Sequence, residues 1–163
     1  MMESAKGRAG AGAKATGAIY LAYFVFAFLG LFLMRGVVVS GNAEETARHL
    51  LSHADVVRAA VAAALVADVL YLVLVASLYR LFGSAGRTAA LVAALVGAVG
   101  CTVQVFAEIF RLAPFVLLSN AQLSMVFTGP QLAELATASL ALYTQSFSIS
   151  LVLFGVYDII IDI

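Results

Sequence analysis

Between residues 17 and 157 the chain alternates long apolar runs with short polar stretches, and the runs are continuous rather than alternating in–out. Four of them have membrane length, at about residues 17–39, 57–80, 88–112 and 132–157. A hydrocarbon core of about 30 Å needs about 20 helical residues at a rise of about 1.5 Å each, so every run suffices for one span. Lipid offers no partner for open backbone groups, and the dyad pattern of a membrane barrel is missing, so the spans are expected to be helices. The predicted fold is an all-α membrane protein, an antiparallel bundle of four transmembrane helices with both termini on one side.

The connections carry their own signals. Asn42 with Glu45, and Ser52 with Asp55, have the spacing of helix capping boxes. A short extracytoplasmic surface helix is therefore predicted to lead into the second span. Residues 83–87 (GSAGR) read as a tight polar turn that makes spans two and three a hairpin. Residues 119–130 carry no charge and are placed at the interface. Pro114 lacks a backbone donor and is expected to kink or end span three just beyond Arg111. Residues 1–16, rich in Gly and Ala with Lys6, Arg8 and Lys14, read as a disordered basic tail ahead of a four-span domain at 17–163. The first run exceeds the about 7–15 apolar residues of a cleaved signal, so it is taken as a retained span.

Composition agrees with lipid as the main solvent. The 163 residues are 64% hydrophobic and 11% charged, against about 45–50% and about 25% in soluble domains. Nine basic and nine acidic residues balance, and without a basic excess nucleic acid is excluded as a partner. The single cysteine, Cys101, lies in an apolar run, so no intrachain disulfide can form. Basic residues flank the spans unevenly: Lys6, Arg8, Lys14, Arg80 and Arg87 fall on one side, Arg35, Arg48 and Arg58 on the other. By the positive-inside rule both termini are expected in the cytoplasm, with the chain in the cell membrane.

Polar residues inside apolar runs are where function is sought. At about 100° per residue, Gly97, Gly100, Gln104, Glu108 and Arg111 share one face of span three. On span four, Glu134, Thr137, Ala138, Ala141, Gln145, Ser148 and Gly155 share another. The two seams are predicted to face each other, small residues admitting close approach and polar ones bonding across. Counting about 1.5 Å per residue puts Asp68 about 18 Å deep, level with Gly100 and Gln145 at mid-membrane. The same count puts Glu108 and Arg111 at about 30–35 Å, the outer boundary, level with Glu134, Arg35 and Arg58.

Two separate sites are thus expected, each with two readings. In the outer one the arginines reach to headgroups and Glu108 and Glu134 neutralise them, or the same groups close an outward-facing polar pocket. At mid-membrane Asp68 is either a protonated acid bonded to Gln104 or Gln145, or a proton- or cation-linked site. His49 and His53, spaced i, i+4 with Glu45 a turn back, form a conceivable metal set. They read instead as solvated side chains, with Ser52 interrupting the helix between them, so no metal and no cofactor is assigned. The span-one aromatics Tyr20, Tyr23, Phe24, Phe26, Phe28 and Phe32 spread around the helix and read as lipid-facing and packing residues.

Absent motifs narrow the chemistry further. No Lys lies in a predicted span for a Schiff base and no His for haem, and there is no Ser/His/Asp set, HExxH or phosphate loop. No catalytic residue is assigned.

Segments 17–28 (GAIYLAYFVFAF), 40–51 (SGNAEETARHLL), 66–82 (VADVLYLVLVASLYRLF), 99–118 (VGCTVQVFAEIFRLAPFVLL) and 131–157 (QLAELATASLALYTQSFSISLVLFGVY) together resemble the bacterial domain-of-unknown-function 4386 family of integral membrane proteins. The resemblance runs from residue 17 to 157 and preserves motif order. It implies a multi-pass membrane protein with Asp68, Gln104 and Gln145 at positions that tend to be polar. Such proteins usually continue through an Arg- and Pro-containing loop into further hydrophobic sequence, where this chain ends at 158–163 (DIIIDI), so it reads as a truncated member with an apolar face for a second copy to cover. The expected function is that of a non-enzymatic helix-bundle or partner-binding membrane protein, in contact with lipids and with a homo-oligomeric or other membrane partner. The alternative is a small transporter or a proton- or ligand-responsive protein using Asp68 and the Glu108/Arg111/Glu134 group. A cavity reaching Asp68 would separate the two.

Overall fold

The computed structural model describes the backbone of residues 2–82 and 86–161, with side chains for 12–82 and 86–160. Its helices are α1 (Met2–Leu33), α2 (Ala43–Ser52), α3 (Ala54–Phe82), α4 (Arg87–Ser119) and α5 (Gly129–Ile161), with a short 3-10 turn at Leu123–Met125. Four helices, α1, α3, α4 and α5, are long and apolar enough to cross a membrane. The protein is an all-α, multi-pass membrane protein. Most of the turn predicted at 83–87 lies outside the described residues.

Several boundaries differ from the sequence expectation for identifiable reasons. The helical backbone of α1 begins at Met2, running through the stretch read as a disordered tail, where Ala, Lys and Arg are strong helix formers. At its other end α1 stops at Leu33 rather than Val39, and Gly36 takes a left-handed backbone with φ of 80°. Val37 beyond it is apolar because it folds into the core beside α2, packing with Leu50, Val57 and Leu140, with Met34 against the same cluster. Pro114 does not end α4, which continues to Ser119 with the proline ring buried. Phe115 beyond it packs against the same cluster.

The surface helix forms as expected. Asn42 caps it, its Oδ1 accepting from the Glu45 backbone N at 3.0 Å while its Nδ2 donates to Glu45 Oε2 at 3.1 Å. Thr46, Ala47 and Leu50 turn inward and seat α2 across the ends of α3, α4 and α5. The second predicted capping box does not form. Ser52 belongs to the last turn of α2, so its hydroxyl points back to the His49 carbonyl at 3.1 Å instead of forward to α3.

In the bundle α1 packs on α3, α3 on α4, and α4 most extensively on α5. Gly30 lets α1 approach closely, since a Cβ there would lie 3.2 Å from the Ala60 carbonyl oxygen. The helices form an open arc: α1 and α5 are its two ends and do not pack along each other. A cleft therefore runs between them, floored by α3 and α4.

Candidate functional site

α5 carries two interleaved stripes with the 4,3,4,3 spacing of a helix seam. One is Glu134, Ala138, Ala141, Gln145, Ser148, Val152 and Gly155; the other, two residues on, is Ala136, Leu140, Tyr143, Phe147, Ser150, Phe154 and Tyr157. Two residues are about 200° of helix, so the stripes occupy opposite faces. The structure turns the second stripe to α4 and leaves the whole of the first exposed. The predicted meeting of two small-and-polar seams is therefore corrected: Glu134 and Gln145 face outward, and only Thr137 of that predicted seam is half-buried.

Shape complementarity explains the choice. Gly97 and Gly100 leave hollows that rings fill, and Cβ atoms built there would come within 3.1 Å of the Tyr157 ring and 2.7 Å of the Phe154 ring. Hydroxyls on the same stripe meet the polar half of α4. Ser150 Oγ donates to Gln104 Oε1 at 3.2 Å, and Arg111 Nη2 donates to the Tyr143 hydroxyl. In lipid, packing and hydrogen bonds of this kind, rather than apolar surface, decide which helix faces associate.

Among the described residues three charged side chains are buried, those of Asp68, Glu108 and Arg111, and they interact electrostatically. Asp68, Glu108 and Arg111 are only 2%, 3% and 3% exposed. Arg111 Nε lies 3.3 Å from Glu108 Oε2, close enough to pair, and its guanidinium carbon sits 4.1 Å from the centroid of the Tyr143 ring. Asp68 is within electrostatic range of both. The depth count had separated them into a mid-membrane and a boundary site. Two facts close that gap. α4 extends to Ser119, which leaves Glu108 about 16 Å short of its end. Side chains also lean toward the N-terminus of their own helix, so on antiparallel α3 and α4 the Asp68 and Glu108 carboxyls tilt toward each other.

The cluster is under-satisfied. Asp68 Oδ2, both Glu108 carboxyl oxygens, and Arg111 Nε and Nη1 lack a hydrogen-bond partner among the described residues. Gln104, expected to bond Asp68, is engaged with Ser150, and Gln145 is on the opposite face. Level with Asp68, the Cys101 thiol donates to its backbone carbonyl at 3.4 Å. The remaining members of the expected outer site stand apart: Arg35 and Glu134 are exposed, and Arg58 pairs with Asp55 at 3.3 Å on the surface. The histidines are likewise taken up locally, His49 Nδ1 by the Gly36 carbonyl and His53 Nδ1 by the His49 carbonyl.

Beside the cluster the cleft holds a cavity of about 180 Å³. Its polar floor is Gln104, Glu108, Arg111 and Tyr143, and Ala64 and Ala67 line it from α3, the helix that carries Asp68. Tyr23, Phe24 and Phe28 form one wall and Phe147, Leu151 and Phe154 the other. Phe24, Phe28 and Leu151 remain exposed, so the mouth opens sideways between α1 and α5, toward the space that lipid fills. Half of the span-one aromatics thus line a site instead of only packing or facing lipid. The polar pattern of the sequence does not pick out Tyr143 and Ser150, although the aromatic spacing from 143 to 157 is a signal as regular as the polar one.

No curated protein and no solved structure matches the chain. A family model does, that of Domain of unknown function (DUF4386), over residues 15–161. Nearly the whole bundle, with Asp68, Glu108 and Arg111 in it, falls inside that match, and the chain belongs to the DUF4386 family.

Proposed function

We propose that this protein is a non-enzymatic, ligand-binding protein of the cell membrane, taking up a small lipophilic molecule that enters sideways between α1 and α5. The observation that supports this reading is the cavity of about 180 Å³ with an aromatic wall on each side and a buried, under-satisfied polar floor. Apolar pockets with a few convergent polar groups are the usual form of a small-molecule site. Saturable binding of radiolabelled neopentylbenzene to the protein in lipid nanodiscs, above that of empty nanodiscs, tests it. Ala27→Phe, which fills the cavity from α1, should abolish the saturable part; identical uptake by loaded and empty nanodiscs would overturn the reading.

A partner-binding role is favoured by a different observation, the fully exposed heptad stripe Glu134 to Gly155 on α5. Gln145 is the polar residue near its centre, and an amide in lipid gains from a partner on another helix. The distribution of arginine and lysine supports an orientation with both termini in the cytoplasm. Reporter fusions at the two ends test this, and an extracytoplasmic signal from either would reverse it.

A further inference from the structure

Glu108 and the Arg111 guanidinium lie at the floor of the cavity, and Asp68 is buried behind it on α3, whose Ala64 and Ala67 line the cavity; all three charged groups are at most 3% exposed. If both carboxyls ionise, the cluster carries one net negative charge in the membrane interior, where an unpaired charge costs several kcal/mol. Neutrality at rest therefore requires one excess proton on the Asp68–Glu108 pair. Glu108 holds the contact to Arg111, while Asp68 Oδ2 has no partner among the described residues, so Asp68 is the natural holder. Among the described residues, the other titratable groups that line the cleft or pack beside it are Tyr20 and Tyr23 from α1, Tyr71 from α3, Cys101 from α4, and Tyr143, Tyr157 and the exposed Asp158 from α5. None of them adds a positive charge.

We propose that the cavity binds a lipophilic organic cation in exchange for one proton released from the Asp68–Glu108–Arg111 cluster. The inference rests on the ligand-binding reading above and names its substrate class. The charge balance closes in both states: a protonated acid, a carboxylate and a guanidinium sum to zero, and so do two carboxylates, a guanidinium and a bound cation. The carboxylic O–H bond breaks, the proton passes to water, and no other bond changes. An anion would set a second negative charge beside the remaining carboxylate against one guanidinium, and would balance only by taking up a proton rather than releasing one. The walls select in the same direction, because Phe24, Phe28, Phe147 and Phe154 line the cavity and aromatic rings attract a cation through their quadrupoles.

The test compares three probes of one shape and different charge on the protein in weakly buffered nanodiscs with a pH indicator: benzyltrimethylammonium, its neutral isostere neopentylbenzene, and benzenesulfonate. The cation should release close to one proton per ion bound, with affinity rising up to about tenfold per pH unit. The neutral isostere should bind without proton release and without pH dependence, and the sulfonate should not bind. Asp68→Asn and Glu108→Gln should each abolish proton release and weaken the cation about tenfold or more while the isostere still binds, which shows that the variants are folded. Cation binding without proton release, or sulfonate binding as tight as the cation's, would overturn the exchange and leave the cavity reading standing. No saturable binding of cation or isostere would overturn both.

Discussion

The polar face of α4 and the outward stripe of α5 look alike as sequence. Each sets small residues beside polar ones at helix-seam spacing within a membrane-length segment. In the structure they have opposite fates, for Gly97, Gly100, Glu108 and Arg111 are buried, whereas all seven residues from Glu134 to Gly155 are exposed. The α4 face meets rings that fit its hollows and hydroxyls that bond its polar groups. Nothing among the described residues offers the α5 stripe either. A seam pattern therefore identifies a face that a helix can present closely, and only the partner's shape decides whether that face is used inside the chain.

The comparison breaks first at Arg111. Arg111→Leu leaves two buried acids without their cation and should destabilise the protein by about 3–5 kcal/mol in mixed-micelle unfolding. Adding Glu108→Leu to the same chain should recover most of that loss, since an apolar pair replaces an orphaned charge; a double variant no better than the single would refute the pairing. Gly100→Leu should cost about 1–3 kcal/mol by pushing on the Phe154 ring, whose atoms stand within 2.9 Å of a built Cβ. Gly155→Leu on the outward stripe meets nothing within 4 Å and should leave unfolding unchanged or slightly raised. Equal losses at the two glycines would erase the distinction between the faces. Ser150→Ala, which deprives Gln104 of its donor, should cost about 0.6 kcal/mol. The smallest effect is expected at Gln145→Leu, within about 0.5 kcal/mol for the isolated chain. If the stripe binds a second membrane helix, crosslinking between copies or to a partner should fall in that variant.

The number of spans, the surface helix with its Asn42 cap, and the face of α4 could all be read from sequence, because each depends on local composition or helical period. The union of Asp68 with Glu108 and Arg111 could not. A depth count uses backbone rise alone, whereas the cluster depends on the tilt of side chains on two antiparallel helices. The roles of Tyr143 and Ser150 were also out of reach, since α5 offers two stripes of equal regularity and local pattern ranks neither above the other.

By itself, then, the sequence determined that this is a four-span helical membrane protein with ionisable residues set into its spans. That follows from the cost of exposing backbone and charge to lipid, which acts on each segment separately. The tertiary structure alone decided that α5 turns its aromatic stripe inward, that three charges share one site, and that α1 and α5 stand apart around a cavity. These outcomes depend on how ring, hollow, hydroxyl and carboxyl fit between helices distant in the chain, and lipid, equally apolar on every side, supplies no segment with that information.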